Sequence, residues 1–338
     1  MTTLSTAPPP SPPVDEPRRI PGGWSRSDRT FRGSARAIGC FVLVLTGSIG
    51  LFLGYQLIPT LHRYGLSFIT ENDWLPERNI IGIASALVGT IEVAVIALVV
   101  AFPLALATAL YISEYAPRRL RGTLVSLVDL MAAVPSIVYG VWGVALLQPH
   151  ALFVARWISE WFGWIPIFAV HGADPRAASF YQPRYELSPF TAGLAVAMMV
   201  IPLACAVMRN VFAQAPIGER EAALALGSTR WGMIRSVVLP FGRGGIIGGT
   251  MLGLGRALGE TVAVLLIISL SFDLKVRILE NGTVTISSLI ANQFQDATSA
   301  QLSALLAAGF VLFLLTLVVN TIAAIIVNRS RSGAGLEA

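Results

Sequence analysis

Charge is sparse over long stretches of this chain. Six runs, at about residues 37–60, 86–112, 123–147, 189–208, 244–271 and 304–327, are mostly apolar over the ~20 residues that a helix needs to cross roughly 30 Å of hydrocarbon. Backbone polar groups in lipid must be satisfied within the segment itself. Runs of this length therefore read as helices and are too long for barrel strands. The expected fold class is an all-α integral membrane protein with about six transmembrane helices. Of 338 residues only 13% are charged, against about 25% in a soluble domain, so a pair of soluble domains is the poorer reading.

Basic residues set the expected orientation. With the N-terminus in the cytoplasm, sixteen arginines fall on the inner side, among them Arg118, Arg119, Arg121, Arg209, Arg220, Arg230, Arg235 and Arg243. Seven basic residues fall outside, at Arg63, Arg78, Arg156, Arg176, Arg184, Lys275 and Arg277. Both termini are thus expected in the cytoplasm of a multi-pass cell-membrane protein. Residues 1–36, rich in proline and arginine, are expected to form a disordered tail, and 329–338 a short C-terminal one. No cleavable signal is read, because the first apolar run follows a polar leader and exceeds an h-region in length. The net charge of +5 does not point to nucleic acid, since the basic residues are dispersed between apolar runs. Cys40 and Cys205 both lie in apolar runs and are expected to be small buried residues.

Between the third and fourth runs, Trp157, Trp161 and Trp164 suggest an interfacial segment on the outer surface. His150 and His171 in that stretch lack metal-ligand spacing, and no metal is expected. The one lysine, Lys275, has no glycine-rich stretch before it. A P-loop needs a lysine after such a stretch to reach the nucleotide phosphates, so this chain is expected to bind no ATP and no other cofactor. No nucleophile–base pair or catalytic dyad is evident.

The longest inner loop, within 209–243, is expected to form a short helix over 217–226 ended by Gly227 in the left-handed region. Ser228 or Thr229 would cap a second short helix that stops at Pro240. Ala222, Ala223 and Ala225 make the first helix slim, and Leu224, Leu226, Trp231 and Ile234 are candidate apolar anchors. In the fifth run Arg256 falls near mid-membrane, with Glu260 one turn on and on the same face. A buried charge there costs at least about 2.5 kcal/mol on insertion scales. It should face a cavity or a partner, a static ion pair with Glu260 being one such arrangement. Gly245, Gly249, Gly253 and Ala257 recur every four residues and should admit a neighbouring helix closely. Asp129 is expected to pair with an arginine, Glu92 to reach the headgroups, and Pro103 and Pro135 to kink their helices.

The loop Glu221-Ala222-Ala223, Gly227, Val237, Leu239-Pro240 resembles the coupling loop of ABC importer permeases, departing only at Val237, where isoleucine is usual. The stretches Ser113–Arg119, Val134–Gly140 and Arg256–Val264 resemble the permeases of phosphate ABC importers, and more the first than the second of two paralogues. The resemblance covers about 37–327. It implies a MetI-like type I ABC importer fold over 84–328, with a preceding first helix at 37–60 and a coupling loop at 215–240. It further implies that Arg256 and Glu260 lie on the substrate path. Glu221, Ala222, Ala223, Gly227, Leu239 and Pro240 would couple to an ATP-binding subunit that carries the ATP. A paralogous permease, an extracytoplasmic phosphate-binding protein and inorganic phosphate complete the expected partners. The rival functions are a permease for sulfate or molybdate, a gradient-driven carrier working through Glu260 or Asp129, and a membrane scaffold or sensor. A carrier would have no use for the loop and should show inverted repeats, which are not seen.

Overall fold

The computed structural model describes residues 26–177 and 181–331, with side chains described for 27–177 and 181–327. It divides into two compact units, residues 1–49 and 50–338. Among the described residues, six helical stretches are long and apolar enough to cross a membrane: Ser27–Tyr64, Ala84–Tyr115, Ser136–Phe162, Pro189–Ala213, Arg230–Leu258 and Ser299–Val327. The number agrees with the sequence reading; several boundaries do not.

Helix α1 (Arg26–Tyr64) begins well before residue 37, so the last part of the expected tail is helical. Asp28 in its first turn suits the positive end of the helix dipole, and the arginines that follow are good helix formers. The rest of the expected tail, like the end of the C-terminal one, lies outside the described residues. Cys40 is exposed on α1 rather than buried, whereas Cys205 is buried as expected. After α2 (Ser67–Thr70), a small antiparallel hairpin pairs β1 (Trp74–Leu75) with β2 (Ile80–Ile81). Phe68, Trp74, Ile81 and Ile83 from this region form a core with Val284, Ile286, Leu289 and Leu305.

Helix α3 (Ala84–Leu110) runs through Pro103 and ends in a π-helical turn, Tyr111–Tyr115. Ala97, Ala101, Ala105 and Ala109 form a fully buried four-residue stripe on it. That stripe lets α3 pack along α7 (Pro189–Ala213), which contributes Ala192, Val196, Val200 and Ala204 to the shared cores.

The third run is not one helix over 123–147. Helix α4 (Arg118–Ala133) ends at Val134-Pro135, and a new helix starts at Ser136. Val134 is held extended because the helical region is disfavoured before proline. The new helix proceeds as α5 (Ser136–Trp142), a π turn and α6 (Gln148–Phe162). His150, Trp157 and Trp161 thus sit on this continuing helix rather than on a separate interfacial segment.

The fifth run is also broken. Helix α9 (Arg230–Met233) passes through a π turn, Ile234–Val238, into α10 (Leu239–Leu258). Pro240 therefore does not stop the second loop helix. The wider π turn before it absorbs the missing N–H and the bulk of the ring. The far end of α10 falls at Gly259, and α11 (Val262–Ile267) follows after a short gap. Helix α12 (Ile286–Gln293), closed by a capping box from Thr285, and α13 (Ser299–Arg331) complete the order.

Gly245, Gly249, Gly253 and Ala257 are all buried, as their spacing implied, and the helix they admit is α7 of the same chain. A methyl on Gly253 would stand 2.5 Å from Val200, whereas one on Gly248 would meet nothing within 4 Å. Overpacking of this kind costs about 1–3 kcal/mol. The melting temperature of the detergent-solubilised protein should fall for Gly253→Ala and hold for Gly248→Ala; equal falls would contradict this packing.

Candidate functional site

The two helix breaks come together. Helix α5 packs against α11 so closely that a side chain on Gly140 would stand 2.9 Å from the Ala263 Cα. The Tyr139 hydroxyl donates to the Met131 carbonyl at 2.8 Å, spanning the Val134-Pro135 break. Tyr139 and Ala263 share a small core with Met199. Arg256 lies in the last turn of α10, where a cation favours the negative end of the helix dipole.

Arg256 and Glu260 are not on one helical face, because α10 ends between them. Glu260 is only 8% exposed. Its carboxylate accepts the Ala263 N–H at 3.2 Å, a bond that tops the first turn of α11. Its own carbonyl accepts from the Ser287 hydroxyl at 2.7 Å. Among the described residues it makes no ion pair with Arg256. The alternative of a static pair does not hold: the carboxylate serves as a helix cap, and the arginine's buried Nε has no hydrogen-bond partner. Such a donor keeps its full desolvation penalty until a ligand meets it.

The two other acids of the apolar runs differ. Asp129 pairs with Arg209 of α7 at 3.4 Å, as expected. Glu92 is half-buried, and one of its carboxylate oxygens is buried without a partner.

In the loop after α7, α8 (Ile217–Ala225) is followed by Gly227 at φ +85°, the left-handed position that its residue type foretold. Thr229, rather than Ser228, caps α9, accepting from the Gly232 N–H at 3.1 Å. Glu221, Ala222, Gly227 and Pro240 are exposed, while Ala223 and Leu239 are half-buried against the inner core. Of the candidate anchors, Leu224, Leu226 and Trp231 are exposed, Leu226 at 88%. Ile234 is fully buried in the core with Met208, Phe212 and Val238, so it anchors the loop to this chain and not to a partner. Arg220 of α8 forms an ion pair with Glu114 of the π turn after α3. Neither residue was singled out by its own chemistry in the sequence, because the partners are distant along the chain and each reads as an ordinary loop charge.

In the segment between α11 and α12, Glu280 accepts from Arg277 Nε at 2.6 Å and lies 3.5 Å from Lys275. Burial by itself raises its pKa. The Arg277 and His171 N–H bonds and the charges of Arg277 and Lys275 outweigh burial and hold the carboxyl below the usual range.

A family model for the inner-membrane component of binding-protein-dependent transport systems matches residues 101–332. The chain belongs to that family. It is similar to the phosphate transport system permease protein PstC of Pasteurella multocida strain Pm70, with 38% identity over 88% of this chain and 91% of that protein. The PstC protein of Xylella fastidiosa strain Temecula1 is likewise 38% identical, over 91% of this chain and 94% of its own length. Among solved structures, the fold is similar to the inward-facing MetNI methionine ABC transporter, with a TM-score of 0.51, 15% identity, and coverage of 76% of this chain and 99% of that one. The MetI-like all-α architecture and the placement in an inner membrane follow.

Because its pKa is depressed, Glu280 stabilises the folded loop around it above the unfolded value of about 4.3, and loses that contribution as pH falls through the lower folded value. Thermal melts of wild type and Glu280→Gln should differ by a constant amount at neutral pH and converge in strong acid. A gap that widened on acidification would contradict the sign.

Proposed function

We propose that this chain is the membrane-spanning subunit of an ATP-driven importer through which inorganic phosphate crosses, with Arg256 on the path. The observation that carries the reading is the buried, unpartnered Arg256 Nε at the meeting of two broken helices. A guanidinium presents five donors in a planar fork suited to a tetrahedral oxyanion. The arginine attracts the anion on the way through but must release it, so a single cation serves better than a closed cage. Glu260 supports the site by capping α11 and keeping the break in shape. That the similar proteins are named as phosphate permeases selects phosphate over sulfate or molybdate.

The chain does no covalent chemistry and holds no nucleotide. A partner ATP-binding subunit grips the segment Glu221–Pro240 through Glu221, Ala222 and the exposed Leu224, Leu226 and Trp231. A paralogous permease supplies the other half of the pathway, and a phosphate-binding protein delivers the anion to the outer loops. Both termini lie in the cytoplasm, on the side of the α8–α9 loop.

The test is uptake of labelled phosphate by the complete complex in proteoliposomes. Arg256→Gln should assemble and lower uptake about tenfold or more, the value of a charge-assisted hydrogen bond. Uptake at the wild-type rate would remove Arg256 from the path, and unlabelled sulfate competing as well as phosphate would overturn the substrate. Gly227→Val forces a β-branched residue into φ +85°. It should detach the ATP-binding subunit or leave its hydrolysis unproductive.

A further inference from the structure

Helix α8 is oddly attached for an element expected to transmit force. None of its residues is buried, and of its apolar side chains only Ala223 is tucked part-way against the inner core. Its strongest tie to the membrane helices is polar. Arg220 projects from α8 with Nη1 at 3.1 Å from one Glu114 oxygen and 3.3 Å from the other. Its Nη2 donates to the Phe212 carbonyl, in the last turn of α7. The Glu114 side chain is 6% exposed and that of Arg220 19%. Glu114 is held in turn by the Ser113 hydroxyl at 2.8 Å.

The geometry joins three elements at one guanidinium. The Phe212 carbonyl lies at the end of α7, where it accepts the Ala215 N–H at 3.2 Å and keeps a second lone pair for the guanidinium, and a cation there also suits the dipole. Glu114 belongs to the π turn closed by the Ala116 N–H to Tyr111 carbonyl bond at 2.8 Å. An inserted turn of this kind offsets the residues that follow it from the face they would otherwise occupy. Arg220 thus fastens α8 to the inner ends of α3 and α7, the pair packed through the alanine stripe.

We propose that Arg220 and Glu114 are positioning residues for transport: with the Phe212 carbonyl they form the strut that carries movement of α8 into α3 and α7. The inference rests on the functional reading above and adds to it the route of the force. Loss of the strut lets α8 follow the ATP-binding subunit without pulling the membrane helices, so hydrolysis continues while less phosphate crosses per nucleotide. A merely structural staple would lower the yield or stability of the complex and leave that ratio alone.

The experiment uses the whole complex in proteoliposomes, with phosphate uptake and ATP hydrolysis measured in the same vesicles. Arg220→Gln and Glu114→Gln should each co-purify with the partner subunits and raise ATP consumed per phosphate about tenfold. The double variant should be no worse than either single one, since all three remove one shared interaction. A wild-type ratio in the assembled single variants, or effects that multiply in the double, would overturn the proposal. Should Arg220→Gln fail to assemble, Arg220→Lys, which keeps the charge but loses the fork, decides by the same ratio: raised supports the strut, unchanged overturns it. Wild-type vesicles that import no phosphate would instead refute the functional reading itself.

Discussion

The close approach of α10 to α7 is the contact on which the remainder of the structure depends. A methyl on Gly245 or Gly253 would stand 2.5 Å from Val211 or Val200, and one on Gly249 would stand 2.9 Å from the Ala204 carbonyl. Side chains at these positions would hold the helices apart. Without them, the two helices run together along α10 from Gly245 to Gly253. The α8–α9 loop connects the end of α7 to the start of α10. Whatever moves that loop acts on both helices, and the far end of α10 carries Arg256.

The functional groups stand at helix ends. The Val134-Pro135 break gives Tyr139 a backbone carbonyl to bond across the gap, and the Gly259 break releases Glu260 from the face of Arg256. Irregular backbone at membrane depth is tolerated where protein or a polar cavity covers it. Here the covering comes from α5 against α11 and from the Ser287 hydroxyl on the Glu260 carbonyl. The arrangement leaves Arg256, the cation we propose for the path, with a buried Nε that has no hydrogen-bond partner. That is the condition for weak, reversible capture of an anion.

The number of spans, the glycine face of α10, the left-handed Gly227 and the threonine cap of α9 were legible in the sequence, because each follows from local spacing or residue type. The breaks were harder to read. Hydropathy continues across Gly259–Thr261 with little interruption, so 244–271 looks like one helix; the fold interrupts it because the Glu260 carboxylate starts α11 separately. Pro240 reads as a stop, yet the π turn ahead of it lets the helix pass. Ile234 looks like a surface anchor until Met208 and Phe212 arrive from α7 to bury it. The Arg220–Glu114 pair depends on two elements meeting at the inner surface, and no spacing along the chain encodes that meeting. The resemblance to importer permeases pointed to segments without giving their geometry.

The central claim is that force enters this chain through the α8–α9 loop from a separate ATP-binding subunit. Leu226, 88% exposed at the tip of that loop, offers the most direct probe. With Leu226→Cys in the transporting complex, the thiol should cross-link to a cysteine in a surface cleft of the ATP-binding subunit, and the cross-link should halt phosphate uptake. A thiol that stays fully reactive to a water-soluble reagent while the intact complex transports, and that forms no such cross-link, would contradict the account.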